Sequence, residues 1–366
     1  MTVRIRKATM TNKERMEALL RRESPDRVPF WPFSPQNFVT VHSGSSIADS
    51  YSDAYTPMIA YEAQKKACQE FDWVFTPTFN SRRGLGGAFG GKMQLPTSKY
   101  SQAPFSVKFA AETSEEVMAL KAPDVKTVAC ITPEMIDFYK RLSQEKLDNA
   151  PFKLMFAGIG VAPSARSIAG AEKMAKWMIK KPEIVHRMFR LAADYQIELA
   201  QYYKDTFGVE GVLPTGTQSA VSNNVMSPKH FEQFALPYLK EVHEKVLAMG
   251  FKHLWVHLCG EHNLNLPYWQ QVPMGDPGII SIGNEIDLET VAKYFTNDII
   301  EGNLDTTIIQ IGTPEEVYQA AKKVIEQGKS LTTGFIFSPA CQIPPMAPVE
   351  NVMAMTRAVN DFGWYD

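Results

Sequence analysis

The sequence predicts a (β/α)8 (TIM) barrel with an insertion after the second strand. Two observations indicate it: eight short apolar runs that end in Gly, Pro, Asn or Ser, and amphipathic helical patterns between most of them. Continuous apolar runs of this kind are typical of parallel strands that are buried on both faces. A doubly wound open sheet is the alternative, but it needs fewer strands, so the count favours the barrel.

The eight predicted strands are spaced so that most of them can be followed by a helix. They span residues 28–33, 73–79, 153–161, 211–215, 254–258, 279–283, 299–304 and 333–338. Residues 81–150 are too many for one strand–helix connection, and they contain glycine-rich, hairpin-like and helical parts. We therefore expect one domain over 1–366 in which 81–150 form an insertion, with a glycine-rich flap over the barrel mouth.

The predicted helices follow the strands at the expected places. They span residues 12–22, 56–71, 182–207, 227–249, 287–295, 313–327 and 349–362. The clearest start is Thr313-Pro314-Glu315-Glu316, with Thr as the N-cap, Pro in the first turn and Glu three residues after the cap.

Composition excludes several functional classes. Lys and Arg total 38 and Asp and Glu total 40, so the net charge of −2 offers no broad basic surface for nucleic acid. No apolar run approaches the roughly 20 residues that span a bilayer, and the first residues lack the apolar segment of a secretory signal. We expect a cytoplasmic protein. Four cysteines in 366 residues are too few for a disulfide scaffold.

The candidate metal ligands lie where two predicted strands end. In HLWVHLCG, residues 253–260, His257 and Cys259 are two positions apart, so both side chains can face the barrel mouth. Cys341 follows the last strand in FSPACQIPP, residues 337–345. Imidazole and thiolate are preferred zinc ligands, and three protein ligands leave a fourth position open, as in catalytic sites. The alternative is a hydrogen-bonded histidine with two unrelated buried cysteines.

Further polar residues follow other predicted strands. Glu285 is the candidate catalytic residue, as a fourth zinc ligand displaced by substrate or as a general base; the alternative is a helix first-turn charge. Asn80, Gln218 and Asn303 are candidate substrate-binding residues, with loop capping as the competing interpretation. His262 is a rival ligand in the loop after Cys259, and we rank it below His257.

Several segments carry a resemblance to a known superfamily. HLCG, IIEGNLD followed by IGTPEEV, GFIFSPACQIPPMAPVENVMAM and the N-terminal TNKERMEALLRRESPDRVPFWP resemble the uroporphyrinogen decarboxylase superfamily. The resemblance covers nearly the whole chain, most weakly over 81–150, and it implies a barrel of this size.

The branches of this superfamily differ at the site. The decarboxylases carry an arginine-rich tetrapyrrole-binding segment after the first strand, where this chain has PFSPQNFVTVH without arginine. The zinc-dependent corrinoid methyltransferases carry H-x-C and a much later Cys near the last strand. This chain matches that second pattern at His257, Cys259 and Cys341, which the resemblance makes the Zn²⁺ ligands.

The resemblance implies methyl transfer between methylcobalamin on a separate corrinoid protein and a small donor or acceptor, such as a thiol, tetrahydrofolate or a methyl ether. A decarboxylase-like enzyme of tetrapyrrole metabolism is the alternative, and a non-catalytic zinc or corrinoid adaptor is a third possibility. Trp31, Phe33 and Phe79 are candidate lining residues of the substrate pocket.

Overall fold

Parallel strands in chain order form the centre of the molecule. The computed structural model describes residues 8–79, 84–98, 103–128, 133–144 and 150–365. Its strands are β1 Lys92–Gln94, β2 Phe105–Lys108, β3 Leu154–Phe156, β4 Val212–Thr217, β5 Trp255–Leu258, β6 Ile279–Ile282, β7 Ile299–Leu304 and β8 Phe335–Pro339. Strands β3 to β8 form a six-stranded parallel sheet in which each strand pairs with the next, as in a (β/α)8 barrel.

The first two predicted strands are extended but do not form regular strands, which corrects the expected count. Phe30 makes an isolated parallel bridge to Phe337 of β8, and its carbonyl accepts a 2.8 Å hydrogen bond from the Val74 amide. Residues 28–33 therefore lie beside β8, and residues 73–79 lie beside them. Pro29 and Pro32 have no N–H to donate, so a continuous ladder cannot form.

The seven predicted helices are present, within two residues of the predicted bounds at most ends, but the structure also has helices that were not predicted, among them those over 36–42, 161–169, 171–180, 266–269 and 306–311. In the described ranges, the helices are α1 Asn12–Leu20, α2 Gln36–His42, α3 Pro57–Glu70, α4 Gly84–Ala88, α5 Ser114–Ala119, α6 Val125–Val128, α7 Pro133–Gln144, α8 Val161–Ala169, α9 Ala171–Lys180, α10 Pro182–Phe207, α11 Pro228–His230, α12 Leu236–Ala248, α13 Leu266–Trp269, α14 Leu288–Tyr294, α15 Thr306–Ile311, α16 Pro314–Lys329 and α17 Val349–Phe362.

The helix predicted over 227–249 is interrupted. A π-helical turn, Phe231–Ala235, separates α11 from α12. Pro237 stands in the first turn of α12 and lacks the N–H that would continue the α-helical ladder, which is the physical reason for the break. The predicted start at Thr313 is confirmed, because its side chain and that of Glu316 form a reciprocal capping box.

The insertion contributes α4, the antiparallel pair β1–β2, and α5 to α7. Its glycine-rich part packs on the outer helices: the Phe89 ring lies 5.5 Å from the Tyr195 ring of α10. Residues 80–83, 99–102, 129–132 and 145–149 lie outside the described ranges. A flap over the barrel mouth stays a prediction.

The barrel floor is a buried apolar layer to which strands β4 to β8, the two extended segments and Phe152, just before β3, contribute. Its members are Trp31, Val74, Phe152, Leu213, Trp255, Ile279, Ile299 and Ile336, with Met16 and Leu19 of α1 packed below. Because side chains alternate along a strand, the residues two positions further on point into the same interior, one layer nearer the mouth.

None of the helices in the described ranges combines the length and the apolar character that a membrane span requires.

Candidate metal centre

The three predicted metal ligands converge at the barrel mouth. The ligand atoms of His257, Cys259 and Cys341 all lie within 4.8 Å of one another. His257 belongs to β5, Cys259 follows β5 by one residue, and Cys341 follows β8 by two. His257 is 1% exposed, whereas both cysteines are partly exposed, so the sulfurs form the side open to the mouth.

The His257 imidazole is held by its neighbours on three sides. Its Nδ1 shares a 3.0 Å hydrogen bond with the Ser281 hydroxyl of β6. The Phe33 ring stacks on it with a centroid distance of 4.5 Å, and Trp255 lies parallel at 5.9 Å. Its buried Nε2 has no hydrogen-bond partner among the described residues. A buried ring nitrogen without a hydrogen-bond partner, in a ring whose other nitrogen is fixed by a hydrogen bond, suits a histidine that binds a metal.

The two thiols are electrostatically unequal. The pKa of Cys341 is lowered to about 4, because its sulfur is hydrogen-bonded with the Cys259 thiol and lies beside the His257 imidazole, and this outweighs burial. The pKa of Cys259 is raised by hydrogen bonding to Cys341, by burial and by the charge of Glu285. The pair therefore holds one negative charge readily and a second one only when a cation balances it.

These residues fit a zinc ion. Zinc binds sulfur at about 2.3 Å and nitrogen at about 2.0 Å in tetrahedral geometry, which places its ligand atoms about 3.5 to 3.8 Å apart. The observed spread of up to 4.8 Å needs only a small contraction. The donor set of one imidazole and two thiols, with an orphaned Nε2, is the chemistry that zinc prefers.

Glu285 lies in the loop after β6, near enough to Cys259 to act on it electrostatically. Its charge acts on Cys259, and its Oε2 occupies the space that a Cβ on Gly283 would take. Asn303 holds this loop in place, because its side-chain amide donates to the carbonyls of Gly283 at 3.1 Å and Ile286 at 2.8 Å. Asn303 thus positions the segment that carries Glu285, and a direct contact of Asn303 with substrate stays a prediction.

The other predicted site residues lie in different surroundings. Gln218 is fully buried. Its side-chain amide donates to the Ile159 carbonyl, and its backbone N–H donates to the His257 carbonyl. Its role in substrate binding stays a prediction. Asn80 lies outside the described residues. His262 accepts a hydrogen bond from Trp269 at 3.2 Å and does not join the ligand cluster, in agreement with its lower rank.

A buried acid behind His257 was missed by sequence reasoning. Glu301 of β7 is 1% exposed and accepts a 2.6 Å hydrogen bond from Trp255 Nε1; it also bonds Ser281 and Ser338. Burial raises its pKa to about 8, so it is mostly protonated at neutral pH. The signal was present in IIEGNLD, where a charged residue interrupts a strand that is otherwise buried.

Comparisons with known proteins agree with the resemblance expected from the sequence. The profile of the uroporphyrinogen decarboxylase (URO-D) family matches residues 11–362. Methylcobamide:CoM methyltransferase MtbA of Methanosarcina acetivorans is 25% identical over 362 residues, which cover 96% of this chain and 98% of the relative. Uroporphyrinogen decarboxylase of Xylella fastidiosa is 22% identical over 368 residues, with 96% and 98% covered.

The fold is shared with a solved structure. A methyltransferase from Methanosarcina mazei superposes with a TM-score of 0.76 at 18% identity, covering 96% of this chain and 99% of that chain. The barrel that the apolar runs predicted is thereby confirmed, and so is the resemblance carried by the N-terminal and C-terminal segments. Because the family profile extends over residues 11–362, the chain belongs to the uroporphyrinogen decarboxylase family.

Proposed function

We propose that this protein is a zinc-dependent methyltransferase that moves a methyl group between methylcobalamin on a corrinoid protein and a small donor or acceptor. The observation that carries the proposal is the convergence of His257, Cys259 and Cys341 within 4.8 Å at the barrel mouth. The relatives named as methylcobamide:CoM methyltransferases, which match over nearly the whole chain, support the same activity.

His257, Cys259 and Cys341 would hold the zinc. When bound, zinc supplies a Lewis acid that lowers the pKa of a thiol or polarises an ether oxygen. The buried face with Ser281 and Phe33 orients the imidazole and excludes water behind it. The partly exposed sulfurs leave the mouth side accessible to substrate and to the corrinoid of the partner protein.

Glu285 is the residue we propose for proton handling. It lies beside Cys259 and is exposed at the mouth, where it can take the proton of an entering thiol or stand as a fourth ligand until substrate arrives. Asn303 keeps the Glu285 loop in register through its two hydrogen bonds. In the direction that methylates a thiol, the corrinoid on its partner protein would supply the methyl group, and the thiol sulfur, its proton taken by Glu285, would accept it.

A decarboxylase of tetrapyrrole metabolism is the competing function, favoured by the match to the Xylella fastidiosa enzyme. A tetrapyrrole with several carboxylates needs cationic partners, and residues 32–42 contain no arginine. The two thiols at the mouth have no evident use in that reaction. These two observations favour the methyltransferase.

Metal analysis and methyl transfer test the proposal together. The purified protein should contain about one zinc per chain and transfer methyl groups from methylcobalamin to an added thiol. Cys341→Ala should lose both zinc and transfer, whereas Cys68→Ala, which alters a partly exposed cysteine outside the cluster, should keep its zinc. The proposal would be overturned if zinc-free protein decarboxylated uroporphyrinogen, or if Cys341→Ala retained zinc. It would also be overturned by the absence of any zinc-dependent turnover, and the protein would then be a non-catalytic adaptor.

A further inference from the structure

A polar layer lies directly above the apolar barrel floor. On β5 to β8, the residue two positions beyond each floor residue is polar and points into the same interior. These residues are His257, Ser281, Glu301 and Ser338, and each is at most 1% exposed. Polar groups cost free energy to bury, and apolar side chains of similar size would serve stability as well or better. Stability alone therefore does not account for this layer.

Glu301 reaches the metal centre through a single side chain. His257 of β5 is the register partner of Ser281 in β6, and Ser281 is the register partner of Glu301 in β7. The Ser281 hydroxyl lies 3.0 Å from His257 Nδ1 and also bonds the Glu301 carboxyl group. The three side chains thus form one hydrogen-bonded row across adjacent strands.

The other neighbours of Glu301 donate hydrogen bonds to it. Trp255 Nε1 can only donate, and its hydrogen goes to Glu301 Oε2 at 2.6 Å. The Ser338 Oγ accepts the backbone N–H of Phe33 at 3.1 Å, which leaves the Ser338 hydrogen for Glu301. The carboxyl group is therefore an acceptor on which several buried donors converge.

Ser281 has one hydroxyl hydrogen and lies between two acceptors. If this hydrogen points to Glu301, Ser281 Oγ accepts the hydrogen of His257 Nδ1, and Nε2 keeps a free lone pair beside the two sulfurs. If it points to His257, the neutral imidazole carries its hydrogen on Nε2 and cannot bind a metal there. A carboxyl group retains an acceptor oxygen in both protonation states, so Glu301 favours the first arrangement.

Glu301 also lines a cavity next to the metal centre. The cavity has a volume of about 260 Å³, and its walls include the rings of Trp31, Phe33, Phe79, Tyr139, Phe156 and Trp255. The three aromatic residues expected from the sequence to line a pocket are among them. Since Phe33 also stacks on His257 at 4.5 Å, Glu301 belongs to the interior that surrounds the metal centre and not to the outer core.

We propose that Glu301 is a positioning residue for the metal centre: through Ser281 it holds His257 in the tautomer with hydrogen on Nδ1, which leaves Nε2 available to zinc. The inference rests on the proposed function, because it requires zinc at His257, and it adds to that site an acid that acts behind the ligands. Hydrogen bonds in a chain polarise one another, so Glu301 also strengthens the bond between His257 and Ser281.

Zinc affinity in a double-mutant cycle tests the inference without measuring turnover. Glu301→Gln keeps the shape of the side chain but replaces one acceptor oxygen by an NH₂ donor. The amide oxygen is required by Trp255, so the NH₂ group faces the serines and Ser281 can turn its hydrogen toward His257. We expect competition with a chromophoric chelator to show a 3- to 10-fold lower zinc affinity, as an order of magnitude. In a Ser281→Ala background the same substitution should change affinity by less than about twofold, because the path is already broken.

Asp298→Asn is the matched control, because it makes the same exchange of acid for amide at the floor end of the same strand. Asp298 directly precedes β7, is partly buried and accepts the Gly278 N–H at 2.8 Å. Its zinc affinity should stay within about twofold of wild type. Unchanged affinity in Glu301→Gln, an equal loss in Asp298→Asn, or equal losses with and without Ser281 would overturn the inference.

The imidazole itself gives a spectroscopic signature that a general loss of stability would not produce. In zinc-loaded protein labelled with ¹⁵N-histidine, the Nδ1–H proton of His257 should resonate upfield in Glu301→Gln, because its hydrogen bond to Ser281 is weaker. The signal should keep its wild-type position in Asp298→Asn. A wild-type position in Glu301→Gln would contradict the positioning role.

Methyl transfer separates the two proposals. If wild type binds zinc and transfers methyl groups from methylcobalamin to thiols while Glu301→Gln binds zinc unchanged, the positioning role is wrong and the proposed function stands. If zinc affinity follows the expected cycle but no methyl transfer occurs, the proposed function fails while the positioning role stands.

Discussion

Replacing Ser281 by alanine should weaken zinc binding without removing a zinc ligand. The Ser281 hydroxyl lies 3.0 Å from His257 Nδ1, and both residues are at most 1% exposed. Loss of a hydrogen bond to a buried polar group costs about 1 to 3 kcal/mol. With about 1.4 kcal/mol per tenfold change, zinc affinity should fall by about 5- to 150-fold, in line with the roughly 10- to 100-fold typical of residues that support a metal ligand.

Competition with a chromophoric zinc chelator measures this affinity directly. Ser164→Ala is the matched control, because Ser164 of α8 is also fully buried and its hydroxyl accepts a 2.8 Å hydrogen bond, but from Gln196 of α10 and not from His257. The control should stay within about twofold of wild type, and circular dichroism should show that both variants are folded. Unchanged affinity in Ser281→Ala, or an equal loss in Ser164→Ala, would refute the claim that the Ser281 hydroxyl positions the imidazole.

Two further predictions concern the Glu285 loop and the stability of the barrel base. Gly283→Ala should displace Glu285, because the new Cβ would overlap its Oε2. Turnover should fall at least tenfold while the zinc content stays the same. Loss of zinc together with turnover would contradict this prediction. Asp26→Asn should lower the free energy of unfolding at pH 7 by about 1 kcal/mol, since Asp26 pairs with Arg15 at 2.6 Å and water screens part of the gain. Although burial opposes it, hydrogen bonding to Arg15 lowers the Asp26 pKa to about 2, below its unfolded value of about 3.9. The stability advantage of wild type over the variant should therefore be present above pH 4 and vanish as the pH falls toward 2, which urea titrations at several pH values would measure.

The regular elements of this fold follow from local patterns. Periodic apolar positions predicted α10 and α17 with their observed bounds, and the Thr313 capping box predicted the start of α16. These features depend on residues within a few positions of one another, so the sequence carries their full signal. The two extended segments were expected as strands because their apolar pattern is strand-like, and their prolines decided otherwise.

The candidate metal centre likewise has features that the local sequence predicts and features that depend on the tertiary fold. Alternation along one strand places His257 and Cys259 on one face, which is a local property of the chain. The roles of Ser281 and Glu301 depend on β6 and β7 lying beside β5, and a hydroxyl between two isoleucines gives no local sign of a partner on another strand.

By itself, the amino-acid sequence determined the barrel class, the bounds of several long helices, the family and the three residues of the candidate metal centre, because periodicity and motif spacing are written along the chain. Only the tertiary structure decided that the sulfur of Cys341 lies close to the ligand atoms of His257 and Cys259, that Asn303 holds the Glu285 loop, and that the adjoining cavity is lined by aromatic rings. Those distances depend on how residues far apart in the chain pack across the barrel, and no local pattern encodes them.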